Sequence, residues 1–217
     1  MIGIGTWQLG GELGKDFTAE EADAILGRAR DLGVNLVDTA ECYGDHLSEE
    51  LVGKAIAAHR DDWVLATKFG HRYIGEGRRR DEWSPAEVVV QLERSLRALG
   101  TDRVDLYQFH SGDDTRLHSE ELWQALDKQR TLGKIRHLGI SVGNNTAAGQ
   151  VSYAAEVGAD VVQVVYSRID REPEEAVLST CTQHDLGVLA REETLDLRKI
   201  VGIAIIIIGI VVLQLEA

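Results

Sequence analysis

"DLGVNLVDTAECYG", residues 31–44, holds a helix end, a strand and a strand exit in one short stretch. Leu32-Gly33 reads as a helix C-cap, because glycine takes the left-handed conformation without a Cβ clash. Val34 to Asp38 then form a short, largely apolar run that suits a buried parallel strand. The run delivers a carboxylate, Asp38, at its exit. A phenol, Tyr43, follows on the loop.

The same unit recurs along the chain. A hydrophobic residue meets glycine again at Leu99-Gly100, Leu132-Gly133, Val157-Gly158 and Leu186-Gly187. Each pair precedes another run: VDLYQFH (104–110), IRHLGIS (135–141), VVQVVYS (161–167) and VLARE (188–192). IGIGTWQLG (2–10) and WVLATKFG (63–70) read as strands too. Helix patterns lie between them. TAEEADAILGRARDLG (18–33) opens on a capping box of Thr18 and Glu21, and Ala22, Ile25, Leu26, Ala29 and Leu32 share one face. SPAEVVVQLERSLRALG (84–100) has Ser84 as N-cap and Pro85 at the first helical position. Further helices are expected near 47–59, 118–132, 145–157 and 173–184.

Seven strand patterns thus alternate strictly with six helix patterns, the mark of an α/β fold with a parallel sheet and right-handed crossovers. Two architectures compete. A (β/α)8 TIM-type barrel gathers every strand exit at one mouth. An open doubly wound sheet concentrates its site at one switch point. Polar residues stand at exits along the whole chain, which favours the barrel. Gly3, Gly5, Gly10 and Gly11 do not fit G-x-G-x-x-G. The expected division is a barrel domain over 1–192, incomplete after the seventh strand, and an unmatched apolar tail over 193–217.

Composition narrows the function. A formal net charge of −13 argues against nucleic acid as a main partner, since phosphate binding needs a basic face. Two cysteines, Cys42 and Cys181, make no disulfide framework, so a reducing, cytoplasmic setting is expected. No H-x-H, C-x-x-C or H-E-x-x-H occurs, and no metal site is expected. Cys42 beside Tyr43 has no base placed next to it by sequence.

The exits carry the chemistry. Asp38 ends the second strand with Tyr43 beyond it, Lys68 stands at the end of the third, and His110 ends the fourth. Each alone has a plain structural reading: a helix cap, a rim aromatic, a solvated strand end, a core histidine. Together at three successive exits they make a proton donor with its tuning groups. An ammonium beside a phenol favours the phenolate, a carboxylate holds the ammonium charged, and an imidazole can orient a substrate oxygen. That set suits protonating a carbonyl oxygen while something else attacks its carbon.

VDTAECYG, ATKFG, DLYQFH and HLGISV together resemble the aldo-keto reductase superfamily, over about residues 2 to 192. The resemblance implies a (β/α)8 barrel that reduces an aldehyde or ketone with NADPH, NADH being possible. It implies Tyr43 as general acid, Asp38 and Lys68 as its tuning groups and His110 as the carbonyl-orienting residue. It implies cofactor contacts from Thr6, Trp7, Asp38, Ser141 and Gln163. The substrate would be a small carbonyl compound; its identity and the oligomeric state are not readable.

The resemblance stops after LGVLARE. A full barrel takes about 250 residues, so the chain reads as shortened at both ends. From Ile200 to Leu213 it carries no charge, a run shorter than the roughly 18–20 residues of a membrane span. The tail could supply a strand, a weak anchor, or nothing evolved. Two alternatives therefore stand beside the reductase: a non-catalytic binding module of the same fold, like channel-associated subunits, and a fragment with impaired activity.

Overall fold

The computed structural model describes residues 2–191 apart from 13, 77, 144–147, 169 and 170. The expected tail over 193–217, and with it the apolar run from 200 to 213, lies outside the described residues. Among those described, no helix is long and apolar enough to cross a membrane.

The described residues form nine strands: β1 Gly3–Gly5, β2 Leu36–Asp38, β3 Val64–Phe69, β4 His71–Tyr73, β5 Arg79–Asp81, β6 Val104–His110, β7 Ile135–Ser141, β8 Val161–Val165 and β9 Gly187–Arg191. Seven form one parallel sheet in the order β1-β2-β3-β6-β7-β8-β9. The order never reverses along the chain. A doubly wound sheet needs a reversal; uninterrupted progression is the winding of a barrel. Among the described residues the outer edges of β1 and β9 have no partner, so these residues form seven strands of a barrel without closing it.

The helices are α1 Ala19–Asp31, α2 Leu47–Ile56, α3 Pro85–Leu99, α4 Asp114–Leu117, α5 Glu120–Thr131, α6 Ala148–Glu156 and α7 Val177–Gln183. The Thr18–Glu21 capping box and the Ser84 cap with Pro at the helix start both form. On α1 the buried stripe is Ala22, Leu26 and Ala29, narrower than expected, with Ile25 and Leu32 exposed.

Strand alternation divides the side chains between two faces. Leu65 and Phe69 of β3, Tyr107 and Phe109 of β6, Leu138 and Ile140 of β7, and Val162 and Val164 of β8 join the hydrophobic core. Their neighbours Lys68, Gln108, His110, Ser141 and Gln163 fall on the opposite, inner face. The register sets them side by side: Lys68 against Gln108, His110 against Ser141, Ser141 against Gln163. At the strand starts, Asp105 fastens the other end. It accepts from Arg60 (2.8 Å), Arg136 (2.7 Å) and the Leu65 amide (2.9 Å).

Three expectations change. The opening run is a strand only over Gly3–Gly5, and Trp7–Gly10 closes as a 3-10 turn because Leu9 N returns to Thr6 O at 3.0 Å. Alternation is not strict: the β4–β5 hairpin and the short α4 interrupt it. The hairpin segment is charged and half exposed, so it carries no apolar alternation to read. Four of the five expected glycine caps are left-handed, but Gly187 starts β9 instead, and Asp185 takes the left-handed turn (φ 55°).

Candidate active site

Two loops cross in backbone contact to place Tyr43. Gly44 has φ 67°, and a Cβ there would stand 2.2 Å from Gly10 O; a Cβ on Gly10 would stand 2.7 Å from Tyr43 C. Only glycine at both positions lets the chain after β1 press against the chain after β2. A hydroxyl cluster locks the crossing from below. Thr6 Oγ1 donates to Asp38 O at 3.0 Å, and Ser48 Oγ lies 2.8 Å from Thr6 O, 2.9 Å from Thr6 Oγ1 and 3.0 Å from Thr39 Oγ1. Thr6 is therefore buried with its hydroxyl already engaged.

Lys68 stands at the centre, 1% exposed. Its ammonium donates to Asp38 Oδ2 (2.7 Å), Thr39 O (2.8 Å) and Tyr43 Oη (3.4 Å), so all three N–H groups have acceptors. Burial alone pulls the lysine pKa down; the Asp38 carboxylate, then Tyr43, outweigh it and hold the pKa above its ordinary value. The other Asp38 oxygen accepts from Gln108 Nε2 at 3.1 Å. Gln108 escaped the sequence reading, although it precedes His110 by two residues on a strand and so shares its face.

His110 meets Tyr43 edge-to-face, with ring centroids 6.3 Å apart. Burial first, then the positive charge of Lys68, His71, Arg79 and Arg191, push its pKa well below the ordinary value, so the imidazole is neutral. Its Nδ1 lies 3.9 Å from Cys42 Sγ. Burial pushes the Cys42 thiol up to about 12, so Cys42 is a protonated S–H and no nucleophile.

Ser141 and Gln163 come together at adjacent exits, buried, with Ser141 Oγ donating to Gln163 Oε1 at 3.0 Å. Trp7 packs 6.4 Å from Tyr43 and donates from Nε1 to Glu12 Oε2 at 2.8 Å. Arg79 of β5 reaches the same Glu12 oxygen at 2.9 Å and stands 5.9 Å from the centre of the Tyr43 ring. Glu12 and Arg79 thus tie the loops after β1, β2 and β3 over the phenol, a link no local sequence signal carries. Beyond β8, Tyr166, Ser167, Arg168 and Arg171 line a cavity of about 540 Å³.

The arrangement can hold a proton on Tyr43, stabilise the negative charge left when it departs, and present a neutral imidazole beside it. The Ser141–Gln163 pair suits a carboxamide: among the described residues the Gln163 amide N–H groups donate to no partner, and the Ser141 oxygen keeps a lone pair to accept.

Comparison with known proteins agrees in kind. The profile of the aldo/keto reductase family matches residues 1–194. The uncharacterized oxidoreductase YqkF of Bacillus subtilis (strain 168) is 35% identical over 193 residues, covering 88% of this chain and 59% of that protein. The chain thus spans under two thirds of that relative's length. The aldo-keto reductase AKR11C1 from Bacillus halodurans, in its holo form, superposes with a TM-score of 0.77 at 31% identity, over 88% of this chain and 61% of that one. An aldo/keto reductase from Klebsiella pneumoniae, solved with NADP and acetate, superposes with a TM-score of 0.69 at 31% identity, over 87% and 62%.

Proposed function

This chain belongs to the aldo/keto reductase family, and from that premise we propose that it reduces an aldehyde or ketone to the alcohol with NADPH. The observation that carries the reading is the Lys68 ammonium, buried and shared between Asp38, Thr39 O and the Tyr43 phenol. When bound, the cofactor supplies a hydride to the carbonyl carbon. Tyr43 gives its phenolic proton to the carbonyl oxygen. Lys68 stabilises the phenolate that remains, Asp38 keeps Lys68 charged, and Gln108 holds Asp38 in place. His110 donates to the carbonyl oxygen and fixes its approach. In this role the single N–H of the neutral ring is on Nε2, which leaves Nδ1 to accept from the Cys42 thiol 3.9 Å away.

Ser141 and Gln163 hold the nicotinamide carboxamide, and Trp7 flanks the ring. Thr6 supports the site from beneath, since its hydroxyl is engaged. The cavity beyond β8 offers the Arg168 guanidinium to the cofactor's phosphates, Arg171 being held by Glu174 at 2.8 Å, and this supports NADPH. The NADP-bound Klebsiella relative supports the same choice. The buried, unpaired cysteines support a reducing, cytoplasmic setting.

The test is NADPH oxidation across a panel of aldehydes, alongside a fluorescence titration of cofactor binding. Tyr43→Phe removes only the proton donor and should cut kcat by roughly 10²–10⁴-fold while NADPH still binds. A folded protein that binds NADPH and turns over no aldehyde would sink the proposal.

A further inference from the structure

We propose that a second cavity, behind the Tyr43 loop, binds a small oxyanion held by Arg72, Arg94 and the Glu41 carboxyl. The cavity measures about 260 Å³ and is lined by Glu41, Asp45, His46, Arg72, Tyr73 and Arg94. It lies between the 40–46 loop, β4 and α3, and shares no lining residue with the proposed carbonyl site.

Two independent observations point to a ligand. Glu41 is 4% exposed, and its Oε1 has no hydrogen-bond partner among the described residues. A buried polar atom left unpaired is costly and demands an occupant. Separately, Arg72 and Arg94 are half-buried here, and neither makes an ion pair among the described residues. Two guanidiniums facing one cavity match the forked acceptors of a carboxylate, sulfate or phosphate.

The protonation states give the cavity its sign. Burial, above all, pushes the Glu41 carboxyl up to about 8; His46, Arg94 and Arg72 oppose the rise and Glu49 adds to it. At neutral pH Glu41 is therefore an O–H donor, and it does not neutralise the arginines. His46 is already paired with Glu49, and the Tyr107 phenol nearby stays protonated. Asp45 is the one exposed carboxylate on the lining. A cation would meet two guanidiniums and one exposed carboxylate, so an anion is favoured.

The position gives the site a consequence. Tyr43 N donates to Ala40 O at 3.1 Å and His46 N to Glu41 O at 2.8 Å, so one turn carries both Glu41 and the phenol. The binding claim does not rest on the reductase reading, because its test reads binding directly.

The experiment is isothermal titration calorimetry of the full chain at low ionic strength. Sulfate is the tetrahedral probe, its charge constant with pH, and succinate the carboxylate probe; the tighter of the two names the ligand's class. Saturable one-to-one binding is expected at pH 7. Arg72→Gln and Arg94→Gln, each checked by circular dichroism, should weaken it by roughly tenfold or more. Glu41→Gln, whose amide also donates, should bind at pH 7 within about threefold of wild type. At pH 9 it should keep that affinity while wild type loses its own. The proposal fails when neither probe binds, when the Arg72→Gln/Arg94→Gln pair binds like wild type, or when Glu41→Gln loses affinity with pH as wild type does. Loss on Arg168→Gln instead would place the anion in the cavity beyond β8 and equally overturn it.

Discussion

Lys68 Nζ lies 2.7 Å from Asp38 Oδ2, with the lysine side chain 1% exposed and the aspartate 15% exposed. Removing one partner of so buried a pair leaves a charge without compensation, at a cost of about 3–5 kcal/mol. Asp38→Asn should therefore lower Tm strongly and cut kcat by roughly 100-fold or more. Adding Lys68→Met should recover much of the Tm and none of the activity, a split that thermal melts and kinetics on the same samples will read. The pH dependence has a definite sign. With its folded pKa raised, Lys68 contributes stability that is complete below its unfolded value and lost only as pH climbs through the folded one. Around neutrality Lys68 should add no pH dependence.

His110 is held neutral by burial and by the surrounding positive charge. The profile of kcat/KM should then show no histidine limb between about pH 5 and 8. Its lowered folded pKa also makes stability complete above the unfolded value and lost as pH falls. His110→Gln, which keeps an N–H donor, should soften that acid loss and retain more activity than His110→Ala. A clear inflection near the ordinary histidine pKa that vanishes in His110→Gln would refute the neutral-donor role.

Glu41 runs the opposite way. Its folded pKa of about 8 lies above the ordinary 4.5. Its contribution to stability is complete below the unfolded value and is lost as pH rises through about 8. At roughly 1.4 kcal/mol per pKa unit, the loss amounts to a few kcal/mol. Glu41→Gln should match wild type in Tm near pH 4 and exceed it by several degrees near pH 9. Parallel melts of the two proteins in anion-free buffer across that range decide the matter.

Gly44→Ala tests the loop crossing. The new Cβ would meet Gly10 O at 2.2 Å, and φ 67° is strained for alanine. The loop must give way, so Tm should fall by a few degrees and kcat by more than tenfold, with the phenol moved off the Lys68 ammonium. Gly14 is also left-handed (φ 80°) but has open space around it. Gly14→Ala is the control, expected to cost stability alone.

The winding of the fold was legible because its signals are local. The glycine ends at Gly33, Gly100, Gly133 and Gly158, the caps at Thr18 and Ser84, and the short apolar runs each depend on neighbours in the chain. Leu186-Gly187 misled because a left-handed Asp185 did the turning two residues before the glycine. The hairpin at β4 and β5 went unread because it buries little.

At the site, Asp38, Tyr43, Lys68 and His110 could be found as polar residues at strand exits. Gln108 could have been found by counting two residues back from His110. The crossing of Gly10 with Gly44, the Glu12 link to Trp7 and Arg79, and the Cys42 contact with His110 could not. Those contacts join residues with no fixed sequence spacing. Sequence alone determined which groups stand at the strand exits, because the strand period and the caps are short-range. Only the tertiary structure decided their protonation: burial and the charges gathered across several strands neutralise His110, raise Glu41 and hold Lys68 charged.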